Sequence, residues 1–368
     1  MLIEQIEEKR KEIHTDAYPM SIGELINLYS DDDLDIHPEF QRIYRWTEIQ
    51  KSRLIESILL GIPLPSFFVA QREDGVWDVV DGLQRLSTIF SFLGIYKNER
   101  DEIEPPLILK GTEYLPALEG MGWNEELSPD AHFSKELQRS FKREKIDLKI
   151  IKKESDEHTK YELFQRLNTF GSSLSDQEVR NCLLIMIDKT FYEWLKDLSD
   201  FSEFRNTLTI TSRQVDEQYH LELVLRFLIL KDADIQELRS VPDVGDFITK
   251  KIKDIASDSD YDRSTASEIF KKTFKILEKS LSDNAFRKYQ DNRYKGGFSL
   301  SIFEVIALGL GNNIDGYDID NQQHIDKIKA VSETLLQNAR YTSKSGSGFK
   351  ASDRLPHILP LGNELLAL

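Results

Sequence analysis

The run Asp81-Gly82-Leu83-Gln84-Arg85 collects the residue types that hold a phosphate. Trp77-Asp78-Val79-Val80 before it alternates like a strand, and Gly82–Leu93 after it has the pattern of an amphipathic helix. A strand that turns straight into a helix leaves first-turn N–H groups unpaired. It also aims the positive end of the helix dipole at the turn. Gly82 tolerates a positive φ and lets a ligand approach the backbone. Gln84 and Arg85 stand in the first turn, within reach of an anion, and a guanidinium grips phosphate through two parallel hydrogen bonds. Asp81, at the carboxyl end of the strand, suits a hard cation such as Mg²⁺ or the orientation of a water. Catalytic roles are therefore expected for Asp81, Gln84 and Arg85, with Asp81 as the metal ligand and Gly82 against the bound group. A tight strand-to-helix turn with a surface arginine would use the same five residues, so the run alone leaves both readings open.

Two further segments carry suitable chemistry. In Phe40-Gln41-Arg42-Ile43-Tyr44-Arg45-Trp46, an extended backbone would put Gln41 and Ile43 opposite Arg42 and Tyr44. Arg42 would add a second cation over a phosphate, while Tyr44 or Trp46 would stack on a base or seal a pocket. An amphipathic edge strand with Phe40 and Trp46 in the core fits equally well. In Leu167–Asn181 a helix stops at Asn168, a Gly-Ser-Ser loop follows, and Ser175 with Glu178 caps the next helix. Asn168 and the loop hydroxyls can donate to an anion, and Arg180 and Asn181 lie one to two turns further on. Capping explains Ser175 and Glu178 but not Asn168 or Arg180. The expected binding set is Gln41, Arg42, Tyr44, Gly82, Asn168 and Arg180.

These segments need a scaffold, and the periodicities supply one. Residues 2–14 read as a helix, and Ser21-Ile22-Gly23-Glu24 opens a short one to Tyr29. Asp31–Asp35 is an acidic loop, and Ile36–Trp46 is extended. Thr47-Glu48-Ile49-Gln50 caps a helix whose apolar face is Leu54, Ile55, Ile58 and Leu59, ended by Gly61 and Pro63. Ser66–Gln71 and Val76–Val80 form a hairpin around Arg72-Glu73-Asp74-Gly75. Leu107–Leu109 and Ile146–Ile151 are further strands, separated by an irregular insertion. Beyond residue 155 the spacing is helical over Thr159–Asn168, Ser175–Leu198, Ser212–Leu230, Val244–Ile255, Ser264–Leu281, Leu300–Leu310 and Ile325–Ala339. The expected class is α+β: a mixed α/β domain over 1–155 and an all-helical domain over 156–368. Tyr341–Phe349 is expected to be a mobile loop.

The 368 residues exceed a single ordinary core. Net charge is −16, which argues against a general nucleic-acid coat. Phe133–Lys153 is locally basic, through Lys135, Arg139, Lys142, Arg143, Lys145, Lys149, Lys152 and Lys153, and reads as a solvated face. Cys182 is the single cysteine, so an internal disulfide and a cysteine-based zinc site are excluded. No apolar run reaches membrane-spanning length, and the N-terminus has no signal core, so a cytoplasmic location is expected. The acidic cluster Asp258, Asp260, Asp262 lacks the glycine and final acid of a calcium loop.

Taken in order, the motifs resemble a known family. Phe40-Gln41-Arg42 with Trp46, then Leu54-Ile55-Glu56-Ser57-Ile58-Leu59-Leu60-Gly61-Ile62-Pro63-Leu64-Pro65, then Val80-Asp81-Gly82-Leu83-Gln84-Arg85-Leu86-Ser87-Thr88, then Phe164-Gln165-Arg166-Leu167-Asn168 with Gly171 and Leu174–Asn181 follow the GmrSD-type N-terminal domain family. That family (domain of unknown function family 262) resembles the ParB/sulfiredoxin fold. The resemblance spans about the first half of the chain. It implies a nucleotide-binding domain used in bacterial defence against foreign DNA, with an Asp-Gly-Gln-Gln-Arg motif associated with nucleoside triphosphate binding and hydrolysis. Carried over, it implicates Asp81, Gly82, Gln84, Arg85, Gln41 and Arg42, with Mg²⁺ as companion ion and the base undetermined. Leu83 departs from the motif, standing where the family usually has Gln. If that position faces the ligand, binding survives and hydrolysis weakens; the other reading is that Leu83, at a helix start, packs inward. His357-Ile358-Leu359-Pro360 resembles only the opening of the nuclease motif of longer members, so His357 is read as structural. Expected partners are the nucleotide, DNA, a nuclease or other defence protein, and further copies of the chain. Two alternatives stand beside this reading: a metal-dependent DNA nickase using Asp81, and a non-catalytic module that senses modified DNA or docks a partner.

Overall fold

In the computed structural model, the described residues are 2, 14–36, 46–98, 100–153, 155, 176–344 and 349–368. The chain divides into two compact units, Met1–Leu174 and Ser175–Leu368.

The first unit is built on a mixed five-stranded sheet. Its elements are β1 (Thr15–Ser21), α1 (Ile22–Ser30), β2 (Leu34–Asp35), α2 (Glu48–Leu59), β3 (Phe67–Gln71), β4 (Trp77–Asp81), α3 (Leu83–Leu93), α4 (Lys135–Arg143) and β5 (Lys145–Ile151). The strand order is β1-β5-β3-β4-β2. The β5–β3 and β4–β2 pairs are parallel, and the β1–β5 and β3–β4 pairs antiparallel. The predicted hairpin is β3–β4. Its turn closes with the Arg72 N–H on the Val76 carbonyl at 2.9 Å, and Gly75 takes φ +95°. The Arg72 side chain then donates to Asp78 at 2.7 Å and to Asp35 at 2.6 Å, tying the two-residue β2 to the hairpin.

Strand β2 falls inside the expected acidic loop and α4 inside the expected irregular insertion, and two further elements differ from expectation. The chain enters β1 at Thr15, where no strand was predicted. Pro19 argues against a central strand, but β1 is a sheet edge, where a missing donor is tolerated. Leu107–Leu109 is not a strand. Both leucines are buried, which imitates strand alternation, yet Leu109 exchanges backbone hydrogen bonds with Gly120 and Met121 of the insertion.

That insertion, residues 94–134, is irregular apart from a 3₁₀ turn at Pro116–Leu118. It is held by aromatic packing: Phe92 of α3 meets Trp123, Phe133 and Phe141 edge-on at 5.7, 5.0 and 5.9 Å. It also anchors α2. Ser52 Oγ accepts the Lys110 N–H at 2.8 Å. The buried Glu56 carboxylate accepts the Tyr114 and Leu115 N–H groups at 3.2 and 3.0 Å, and the Thr112 hydroxyl. One face of α2 is thus pinned, which fixes the direction of the others.

The second unit is helical: α5 (Asp176–Ile187), α6 (Lys189–Ser199), α7 (Ser202–Asn206), α8 (Ser212–Asp216), α9 (Tyr219–Leu230), α10 (Ile235–Ser240), α11 (Val244–Ala256), α12 (Arg263–Leu281), α13 (Leu300–Asn312), α14 (Gln322–Thr334), α15 (Ala339–Thr342) and α16 (Ala351–Leu366). Between α12 and α13 lies a hairpin, β6 (Lys288–Gln290) and β7 (Arg293–Lys295). Its core interlocks phenylalanines, among them Phe204–Phe274 at 4.7 Å, Phe227–Phe270 at 5.3 Å and Phe286–Phe303 at 5.1 Å. Two helices expected as single rods are broken. Asp188 separates α5 from α6, because its carboxylate caps α6 by accepting the Thr190 and Phe191 N–H groups. Gln218, at φ +54°, separates α8 from α9. Helix α16 forms where no helix is predicted, and it contains Pro356 and Pro360, residues that disfavour a helix interior. Packing overrides them. A Cβ on Gly309 of α13 would lie 2.5 Å from Gly362 backbone atoms of α16, and one on Gly362 would lie 2.4 Å from the Val305 carbonyl. Tyr341, expected in a loop, is buried in α15 with its hydroxyl 2.8 Å from Ser301 Oγ. Residues 345–348 of that loop lie outside the described residues. Among the described residues no helix is long and apolar enough to cross a membrane.

Candidate functional site at the mouth of α3

The junction of β4 and α3 opens on a cavity of about 480 Å³, within the range of small-molecule sites. Its walls are Val80–Arg85, the face of α2 bearing Gln50, Arg53, Leu54 and Ser57, and Trp46, Leu64 and Pro65. All belong to the first unit.

The local sequence explains the opening. Strand β4 ends at Asp81, and Gly82 takes φ +100° as N-cap of α3 with no side-chain cap. The first helical bond is the Leu86 N–H to the Gly82 carbonyl at 2.9 Å. The N–H groups of Leu83, Gln84 and Arg85 therefore have no acceptor within the helix, as at any helix start. Glycine is required at 82 twice over. Its φ is left-handed, and a Cβ would lie 2.4 Å from Phe67 Cδ1 and 3.1 Å from Arg85 Nη2. The group that approaches Gly82 closely is thus the Phe67 ring.

Arg85 is heavily engaged. It donates to the Pro65 carbonyl, to the Ser66 carbonyl at 3.3 Å and to Asp81 Oδ2 at 3.1 Å. Its guanidinium carbon lies 4.2 Å from the centre of the Phe67 ring. Burial lowers the Arg85 pKa from its ordinary value, opposed by Asp81. Burial raises that of Asp81, opposed by Arg85 and by the Gly82 N–H. Gln84 is nearly buried on the cavity wall, and among the described residues its amide makes no hydrogen bond. Leu83 is 8% exposed, and that remainder borders the cavity.

The donor set limits what ion could bind. Asp81 is the one carboxylate on the cavity wall among the described residues, and it is already paired. Among the described residues no group of three or more His, Cys, Asp or Glu could hold a metal ion. A lone carboxylate beside unpaired amides fits Mg²⁺ that arrives with phosphates, and does not fit a cage made by protein alone.

Of the expected site residues, Asp81, Gly82, Gln84 and Arg85 meet here. Gln41, Arg42, Tyr44 and Asn168 lie outside the described residues. Arg180 is buried in the second unit, on α5. It donates from Nε to Thr249 Oγ1 at 3.0 Å and from Nη1 to Gln177 Oε1 at 3.1 Å. Gln177 donates to Asn181 at 2.7 Å, and Asn181 to Gln218 at 2.5 Å, the residue that breaks α8 from α9. Sequence reasoning missed Gln50, Arg53 and Ser57. The signal was their spacing of three and then four along a helix, which gives one shared face.

The remaining candidates resolve as surface or caps. His357 is exposed on α16. Asp262 caps α12, and Asp258 accepts the Asp260 N–H in an exposed turn. In the basic stretch, Arg139, Lys142, Lys145 and Lys149 are exposed, with Lys142 over the Trp123 ring and Lys149 over that of Phe68.

Residues 22–185 match the family described as GmrSD restriction endonuclease, N-terminal domain. The matched segment contains the whole cavity and runs into α5. No curated protein matches the chain.

Proposed function

The chain carries a GmrSD restriction endonuclease N-terminal domain over residues 22–185 and so is a restriction- or defence-type protein; from this premise we propose that the cavity at the mouth of α3 binds a nucleoside triphosphate. The observation that carries the reading is the uncapped start of α3. Three first-turn N–H groups without helical acceptors, at the positive end of an 11-residue helix, border a cavity of nucleotide size. The Gln84 amide adds a polar group with no other partner among the described residues. Trp46, Leu54, Leu64 and Val80 offer apolar surface for a base or ribose. Mg²⁺ enters with the phosphates, and Asp81 is its protein ligand.

The roles of the residues follow from their surroundings. Arg85 neutralises Asp81 and locks the turn. The α3 amides receive phosphate oxygens. Leu83, on the cavity wall in place of a glutamine, has no group to orient an attacking water. Binding is therefore the primary activity, and turnover is slow. The bound state is passed to DNA or to a defence partner, in keeping with the family.

Calorimetric titration of the full chain with ATP, GTP, CTP and UTP, with and without Mg²⁺, tests the reading. Binding of at least one triphosphate, strengthened by Mg²⁺, is expected. No heat and no thermal shift with any of the four overturns it. A second reading rests on Leu83: a module that uses nucleotide only as a switch. It predicts a stable complex and unchanged nucleotide after long incubation, whereas Leu83→Gln raises the hydrolysis rate.

A further inference from the structure

We propose that Arg53 of α2 is the guanidinium that meets the nucleotide's phosphates, and that Arg85 is a positioning residue for Asp81 and the turn. The inference rests on the nucleotide reading of the cavity and deepens it.

A pocket for a polyanion needs a cation with free donors. Arg85 has the right position but little left to give. Three hydrogen bonds go to Pro65, Ser66 and Asp81, one face covers the Phe67 ring, and its side chain is 12% exposed. Reaching a ligand would break contacts that hold the loop before β3 to the β4–α3 turn.

Arg53 is the converse case. Its side chain lines the same cavity and is exposed. Among the described residues its guanidinium has no hydrogen bond, ion pair or ring contact. It is also well aimed. Ser52 and Glu56, one turn apart, fasten α2 to the insertion through the backbone N–H groups of Lys110, Tyr114 and Leu115. With that face fixed, Gln50, Arg53 and Ser57 are turned to the cavity. Gln50 is itself oriented, since its Oε1 accepts the Thr47 N–H in the capping box of α2. An arginine on a rigid helix, with its donors bonded to none of the described residues and an anion-seeking helix mouth across the cavity, is suited to bidentate phosphate binding.

The division of labour makes distinct predictions for the two arginines. Arg53→Ala weakens triphosphate binding by about 10- to 100-fold, the range for charge-assisted hydrogen bonds. The loss diminishes from tri- to di- to monophosphate, and affinity for the nucleoside is unchanged. The unfolding midpoint of ligand-free protein stays where it was, because the Arg53 guanidinium has no hydrogen bond, ion pair or ring contact to lose among the described residues. Arg53→Lys keeps the charge, recovers part of the affinity and preserves the salt dependence. Arg85→Ala lowers the unfolding midpoint without ligand and weakens all nucleotides alike. Calorimetry with the phosphate series, together with thermal unfolding of each full-length variant, reads these effects. Wild-type binding with undiminished triphosphate affinity in Arg53→Ala overturns the assignment of Arg53 and leaves the nucleotide reading standing. Absence of binding by the wild type overturns both.

Discussion

Asp81–Arg85 and Glu304–Arg354 are the same chemical pair in two settings. In the helical unit Glu304 is 0% exposed, and Arg354 embraces it from Nε at 2.8 Å and Nη2 at 2.9 Å. Arg226, itself held by Glu222, stands 3.6 Å away. The charged partners of that pair come from α9, α13 and α16. In the first unit Asp81 and Arg85 touch through a single contact of 3.1 Å, beside open space and uncapped amides. Enclosure on all sides turns an ion pair into a structural fastener. One open side leaves a carboxylate that a ligand can reach. The contrast can be broken at several points, in order of expected effect.

Glu304→Ala has the largest. It strands Arg354 without its carboxylate and leaves Arg226 only Glu222, at a cost of about 3–5 kcal/mol. Hydrogen exchange should accelerate throughout α9, α13 and α16, while nucleotide affinity of the folded fraction is unaltered. A loss below 1 kcal/mol would show that the enclosure is not what makes the pair structural.

Gly82→Ala comes next. An alanine there must adopt a left-handed φ and push into Phe67, with a combined cost of roughly 2–4 kcal/mol. The unfolding midpoint of the first unit should fall, and nucleotide binding with it. If alanine is accommodated without loss, the Phe67–Arg85–Gly82 packing is not what shapes the mouth of α3.

The helical unit also carries a pH signature of its own. Burial, with the Arg205 charge nearby, pushes the His220 pKa down to about 4, and among the described residues its buried Nδ1 has no hydrogen-bond partner. A depressed folded-state value means that above about pH 6.5 neither state binds the proton and His220 has no effect. Between about 6.5 and 4 the unfolded chain takes it up and the folded unit does not, so stability falls by about 3 kcal/mol over that window. Urea unfolding at pH 7 and pH 4.5 should show this loss in the wild type, and His220→Gln should remove most of it. Parallel pH dependence in the two proteins would rule the effect out.

These cases show what could be read from residues alone. The β3–β4 hairpin, α3 and the Asp81–Arg85 cluster were legible because their signals are local: alternation, an Asp-Gly turn and helical spacing. Helix α16 was not, because only the Gly309–Gly362 contact outweighs its two prolines. Strand β1 was not, because its place at an edge is a property of the sheet. Within the site, the sequence marks Arg85 by its motif but is silent on Pro65, Ser66 and Phe67 closing around it. Arg53 has no motif, and its freedom is visible only once α2 is pinned by Ser52 and Glu56. For Arg180, a cation near the Gly-Ser-Ser loop suggested ligand contact, and the bonds that it, Gln177 and Asn181 make here join α5 to α11 and Gln218.

Among the changes to the two ion pairs and their surroundings, Asp81→Asn has the smallest expected effect on stability, and it sharpens the comparison most. Burial raises the Asp81 pKa, so the folded state carries a cost of ionisation that the unfolded chain does not. With the folded value raised, that cost is fully present above the folded pKa and is relieved as pH falls through it. An asparagine removes the cost and gives up the single contact to Arg85. These opposing terms should leave the unfolding midpoint within about 1 kcal/mol of the wild type. Nucleotide binding should respond differently: the increment of affinity that Mg²⁺ confers disappears, while affinity without the ion stays the same or rises, since a negative charge beside the phosphates has gone. Titrations of the variant with and without Mg²⁺, run beside denaturant unfolding, separate the two. A variant that loses several kcal/mol of stability would make Asp81 a fastener like Glu304. One that keeps the full Mg²⁺ increment would remove it from the ion's coordination, and the cavity's only described carboxylate would then serve Arg85 alone.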